Sequence, residues 1–209
     1  MTKAEALRII HSGAKEYQQN LVNRNVLFVT LHSGKAELFE ASFLPRNFLH
    51  LTGVRTIHSS TAFYSMARRD RLSEKDIEFA VDGTTEKKLD VLIALMNIHV
   101  TAKMIGDYDS SQSLLVTDKL AGTVTSAMGF CKDGNYYIPN TALKTDIRTV
   151  TKKPVLRIVA SFIKRFSDVK YIEMKYLAKG ISLDDAVLRK ALCDKVDFAE
   201  SENNHQPNE

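Results

Sequence analysis

Apolar residues recur near helical spacing at Leu7, Ile10, Ala14, Tyr17 and Leu21. Thr2 followed by Glu5 is the pattern of a capping box, so a helix is predicted to about Asn20. Two alternating runs follow, over 26–31 and 36–43, with Ser33-Gly34 between them, which reads as a hairpin. Pro45 ends the second run, since it has no N–H to donate. The stretch Asn47-Phe48-Leu49-His50-Leu51-Thr52-Gly53-Val54 reads as a strand, with Phe48, His50 and Thr52 on one face and Leu49 and Leu51 on the other. Ser59 or Ser60 caps a helix that turns Phe63, Met66 and Ala67 inward and Arg68, Arg69 and Arg71 outward; Ser73 and Asp76 bracket a short capped turn. From Thr84 or Thr85, the stripe Leu89, Leu92, Ile93 and Met96 predicts another helix. His99 lies at its end, where exposed carbonyls favour a cation, so a capping role is expected.

From Val100 the period changes to two, with Lys103, Ile105 and Asp107 alternating against Met104 and Gly106. Ser110, Ser111 and Gln112 form a loop, 114–117 a short strand, and 122–131 a longer alternating run. Asp133-Gly134 is a hairpin turn. The return strand over 136–138 is closed by Pro139, and Asn140-Thr141 caps a turn running to Arg148. Long strands are expected over 155–166 and 171–178. Ser182 and Asp185 cap a last helix burying Leu183, Val187 and Leu192. Residues 199–209 are polar and acidic and are expected to be disordered. The predicted fold class is α+β: one domain over 1–198, with N-terminal helices packed on an antiparallel β-sheet, a C-terminal helix and a disordered acidic tail.

Composition changes this picture in two places. None of the 209 residues belongs to an apolar run of membrane-spanning length, and the first residues lack a signal-peptide pattern, so a cytoplasmic protein without a membrane partner is expected. Cys131 and Cys193 are then free thiols. The net charge of +4 is modest, but residues 140–180 hold ten Lys and Arg against three Asp and Glu. Such an excess attracts polyanions, provided that its strands present one surface; otherwise it is a solvated face.

Familiar catalytic motifs are absent. The chain has no phosphate-binding glycine loop, no Gly-x-Ser-x-Gly elbow and no His-Glu-x-x-His. Asp107, Asp109 and Asp118 lack a diagnostic metal spacing, so neither a metal nor another cofactor is expected. What remains is His, Lys, Arg, Ser and Thr on a basic scaffold. That inventory suits metal-independent RNA cleavage, in which the 2′-hydroxyl attacks the adjacent phosphate, one group takes its proton, another protonates the leaving oxygen, and cations stabilise the phosphorane. It equally suits a surface that only binds phosphate.

Four segments carry a resemblance: Asn47 to Val54, Lys103 to Tyr108, Thr117 to Leu120, and Tyr137 to Thr141. In content and order they resemble the motif series of the phage-associated Barnase–EndoU–colicin–RelE-like nuclease domains, over about 35–180. The resemblance implies metal-independent endoribonucleases with N-terminal helices on a four-stranded antiparallel core sheet, found in phages, mobile elements and toxins. It implies His50 as general acid or base, Thr52 as its orienter or a phosphate donor, and Lys103 and Lys119 as cationic stabilisers. It implies Thr141 and Arg148 as phosphate contacts; with Lys144, Lys152 and Arg157 of the basic stretch they make the expected nucleic-acid-binding set. RNA is the expected partner, with an antitoxin or host protein as a further candidate. The alternatives are a non-catalytic nucleic-acid-binding or phage–host interaction protein and, less favoured, a nucleotide transferase acting on a molecule such as NAD.

Overall fold

The computed structural model describes residues 1–111 and 115–199. Gln112, the first residue of the expected 114–117 strand, and residues 200–209 of the expected tail lie outside the described residues.

Helix α1 (Lys3–Asn20) starts at the expected capping box, Thr2 and Glu5 exchanging side-chain-to-backbone bonds, and buries Ala6, Ile10, Ala14 and Tyr17. Strands β1 (Arg24–His32) and β2 (Lys35–Phe43) form the expected hairpin, with Leu31 facing Ala36 and His32 facing Lys35 across the turn. A 3-10 turn (Pro45–Asn47) then leads into α2 (Phe48–Thr52). The expected strand over 47–54 is therefore a helix. Helical winding puts Phe48, Leu51 and Thr52 inside and leaves His50 exposed, whereas a strand would have turned His50 to the same side as Phe48. The turn is held by Asn47 Oδ1, which accepts from the Leu44 amide at 3.0 Å, and is stopped by Gly53 at φ 69°.

Helix α3 (Ser60–Arg68) is capped by Ser59, as expected, and buries Phe63 and Ala67. The short turn at Ser73 and Asp76 is also present. Helix α4 (Thr84–Leu95) begins as expected, although Ile93 is exposed and Val91 and Leu95 join Leu89 and Leu92 in the core. A separate turn, α5 (Ile98–Thr101), carries His99.

The remaining strands are β3 (Met104–Asp107), β4 (Lys119–Gly122), β5 (Ala127–Asp133), β6 (Tyr136–Leu143), β7 (Leu156–Arg165) and β8 (Glu173–Leu177). The expected run over 122–131 is split by a turn at residues 123–126, and residues 115–117 are not strand. Pro139 does not end its strand. It sits inside β6 opposite Phe130, beside a register shift that absorbs the missing N–H, and the strand runs on through Asn140 and Thr141 to Leu143. The turn near Arg148 is a 3-10 piece (Ile147–Thr149) capped by Asp146.

The sheet is not open. Its order is β1-β2-β6-β5-β4-β3-β7, and β7 pairs again with β1, closing a seven-stranded barrel. Neighbours are antiparallel except β2 and β6, which meet parallel at Ala41 and Tyr137. β7 gives one edge to β1 over most of its length; its remaining pairings are with β3 at its start and with β8 further along. Alternate residues such as Phe28, Phe39, Phe43, Met128 and Phe130 belong to one core with the buried faces of α1 to α4. The opposite face of β1 and β7, with Leu27, Val29 and Phe162, packs against α6 (Ala186–Leu192), which buries Leu188 and Leu192 but leaves Val187 half-buried. Glu40 fastens that layer, accepting from Tyr171 Oη at 2.6 Å and Lys195 Nζ at 2.8 Å.

His99 does not act as a cationic cap. It is buried, and its Nδ1 has no hydrogen-bond partner among the described residues. Burial lowers its pKa to about 4, with Lys175 and Arg24 adding to the effect, so the ring is neutral near neutral pH.

Two stability predictions follow from this packing. Phe130 is fully buried against Phe39 and Phe43, so Phe130→Ala should cost about 3–5 kcal/mol in urea unfolding, against less than about 0.5 kcal/mol for exposed Val169→Ala. For His99, the unfolded ring takes its proton near pH 6.5 and the folded ring only near 4. Its stabilising contribution is thus complete above pH 6.5 and lost as pH falls toward 4, by about 3 kcal/mol. Urea midpoints at pH 4 and 7.5 should show this loss in the wild type and a smaller one in His99→Gln.

Candidate active site

Helices α2 and α4 both lie against β6, and two adjoining cavities open along that contact. The first, of about 300 Å³, is lined by Arg46, Asn47, His50, Ser60, Pro139 and Asn140, among others. The second, of about 350 Å³, is lined by Lys87, Lys88, Tyr108, Thr141, Lys144 and Thr145, among others. A hydrogen bond links their linings: Lys88 of the second cavity donates from Nζ to the backbone carbonyl of His50, which lines the first, at 2.9 Å.

Each part has a local cause. His50 stands on a helix of just over one turn whose inward side is fixed by fully buried Phe48 and Leu51. Its imidazole has no hydrogen-bond partner among the described residues and is exposed, so it is available to a ligand. Lys88 is half-buried, and burial lowers its pKa, opposed by Asp82; its ammonium is a better acid than a solvated lysine. Lys144 is held at the rim by Asp90, 2.9 Å away. The Thr141 hydroxyl is buried without a hydrogen-bond partner among the described residues. An orphaned hydroxyl is costly unless something completes it, and a ligand oxygen in this cavity would do so. Gly129 makes room for it: a Cβ there would lie 2.5 Å from Thr141 Cγ2 and 3.0 Å from Thr117. Asn140 works structurally, accepting from Thr117 and donating to the Val116 carbonyl, which ties the segment before β4 to β6.

A family model, phage-Barnase-EndoU-ColicinE5/D-RelE like nuclease4, matches residues 9–180. The chain belongs to this nuclease family. No curated protein and no solved structure matches it.

Within this nuclease domain the expected site residues separate. His50, Thr141 and Lys144 line the paired cavities. Thr52 is fully buried and lines neither of these cavities; its hydroxyl donates to the Leu49 carbonyl at 2.8 Å. Lys103 lies with its Nζ 3.4 Å from the centre of the Tyr176 ring. Lys119 is ion-paired with Asp107 in a different cavity at the barrel mouth, beside His32 and Glu37. Arg148 is bound by Asp146 Oδ2 at 2.6 Å. Lys152 donates from its backbone N–H to the carbonyl of Asp107 at the end of β3, and Arg157 is the second residue of β7. Lys164 and Arg165 stand at the far end of β7, about 23 Å from Arg157 at strand rise. The basic stretch therefore does not form one patch. Sequence reasoning missed Arg46, Lys87 and Lys88. The only signal for the lysines was an adjacent pair on the polar side of α4, a pattern shared by most solvated helix faces. Among the described residues no three His, Cys, Asp or Glu side chains form a group that could hold a metal ion, and no helix is long and apolar enough to cross a membrane.

Because Gly129 and Thr141 compete for the same space, Gly129→Ala should destabilise the fold by about 1–3 kcal/mol. Adding Thr141→Ser, which removes the obstructing methyl, should restore most of the loss. Urea unfolding of the two single variants and the pair measures this coupling.

Proposed function

We propose that this nuclease-family domain is a metal-independent endoribonuclease whose reaction centre is the α2–α4–β6 cleft. The observation that carries the reading is an exposed imidazole, His50, on a turn whose backbone carbonyl accepts from a half-buried cation, Lys88, which shares a cavity with an unsatisfied hydroxyl, Thr141. The three suit three parts of one reaction. His50 accepts the proton of the 2′-hydroxyl as that oxygen attacks phosphorus. Lys88, made more acidic by burial, returns a proton to the departing 5′-oxygen. Thr141 donates to a non-bridging phosphate oxygen, while Lys87 supplies positive charge to the dianionic phosphorane. The products are a 2′,3′-cyclic phosphate and a new 5′-hydroxyl, and proton exchange with water resets the two groups. Thr52 and Lys103 lie outside this scheme, one buried in a local turn and the other stacked on a ring.

Cleavage of a mixed RNA in excess EDTA tests the reading. The wild type should cut. His50→Ala and Lys88→Met should each lose at least about 10²-fold in rate, whereas Arg148→Ala, already neutralised by Asp146 on the surface, should stay within about twofold of wild type. RNA binding without cleavage by the wild type would instead favour a nucleic-acid-binding module. An absolute need for divalent metal would overturn metal independence.

A further inference from the structure

A third cavity, of about 290 Å³, lies where the β1–β2 hairpin passes the start of β6. Among the described residues Tyr136 and Phe166 are the two most exposed aromatic side chains, at 39 % and 43 %. They are 30 residues apart in the chain, yet both line this cavity. Aromatic surface on a protein is costly to leave in water, and among the described residues these rings neither stack on each other nor pair with another ring.

The remainder of the lining is polar in a directed way. Asn25 of β1 faces Ser42 of β2, and the Ser42 hydroxyl donates to Asn25 Oδ1 at 2.6 Å. That bond sets the amide's orientation, leaving its NH₂ group as two donors with no acceptor among the described residues. Both residues are buried and both line the cavity. Asp133 also stands in the wall, so a phosphate is disfavoured inside it.

The cavity adjoins the His50 cleft. Ile138 lines both, and Arg46 of the cleft reaches Asp133 of this cavity at 3.4 Å. An occupant must therefore be flat, aromatic and equipped with hydrogen-bond acceptors, and is best joined to an anion lying in the next cavity. We propose that this is a nucleobase subsite: a base next to the scissile phosphate stacks on Tyr136 and Phe166, and its carbonyl or ring nitrogen accepts from the Asn25 amide. The proposal rests on the ribonuclease reading for its substrate class, but its binding chemistry can be measured separately.

The probe is a 5′-fluorescein-labelled deoxytetranucleotide, which lacks the attacking 2′-hydroxyl, alongside the same strand made abasic at each position in turn. Fluorescence anisotropy is read on the wild type and on Tyr136→Leu, Phe166→Leu and the double variant, with urea midpoints confirming that the variants fold. One abasic position should weaken wild-type binding about tenfold, the double variant should bind the intact strand about tenfold more weakly, and the same abasic change should then cost it nothing further. Equal abasic effects in wild type and double variant, or none in either, would overturn the subsite. RNA cleavage by the same proteins separates the two readings: His50-dependent cutting with no base effect keeps the nuclease and discards the subsite. Ring-dependent base binding without cutting keeps the subsite and discards the cleavage. No binding to any strand up to millimolar protein overturns the subsite.

Discussion

Closure of the strand ring governs this molecule. β7 pairs along β1 from Ile158 to Arg165, and that long antiparallel seam returns the last barrel strand to the first. A closed ring places alternate side chains on a shared inner face. Phe28, Phe39, Phe43 and Phe130 fill that face, and α1 to α4 pack onto the same core. The opposite face of the seam carries Leu27, Val29 and Phe162, over which α6 is fastened through Glu40.

The weakest link in the ring has the most consequence for chemistry. β2 and β6 meet only at Ala41 and Tyr137, in a parallel sense. β6 is therefore not covered by a long ladder on that side, and α2 and α4 lie against it instead. The 48–52 turn, the 84–95 helix and the strand thereby supply the linings of the two cavities. Each is fixed by ordinary packing: His50 by the buried residues that flank it, Lys88 by the His50 carbonyl, and Thr141 by the space that Gly129 leaves.

Charge behaves differently from its appearance along the chain. Ten cations in 140–180 look like one polyanion surface, but a strand carries its residues apart at about 3.3 Å each, and local carboxylates neutralise several of them. Asp146 takes Arg148, Asp90 takes Lys144 and Glu173 takes Lys175. The cavity beside β6 is instead lined by Lys87 and Lys88, which sequence counting placed in no cluster. Position relative to a cavity, and not density along the chain, decides which cations share one enclosed space.

The sequence by itself determined those elements whose signals are local. The Thr2–Glu5 box and the Ser33-Gly34 and Asp133-Gly134 turns specify their elements through nearest neighbours, and all three are present; the α4 stripe located its helix, although Ile93 of the stripe is exposed. The ordered motifs from Asn47 to Thr141 likewise pointed to the nuclease family that the chain belongs to. Where two local readings were close, the tertiary structure chose. Phe48-Leu49-His50-Leu51-Thr52 alternates as well as it winds, and only burial against Tyr17 and Phe63, with Gly53 to end the turn, makes it helical. Pro139 stops a strand in isolation but is tolerated at a bulge. Barrel closure, the burial of His99 and the bond from Lys88 to the His50 carbonyl depend on contacts between residues tens of positions apart. No local pattern encodes such contacts, because the free energy that selects them appears only when the core is assembled.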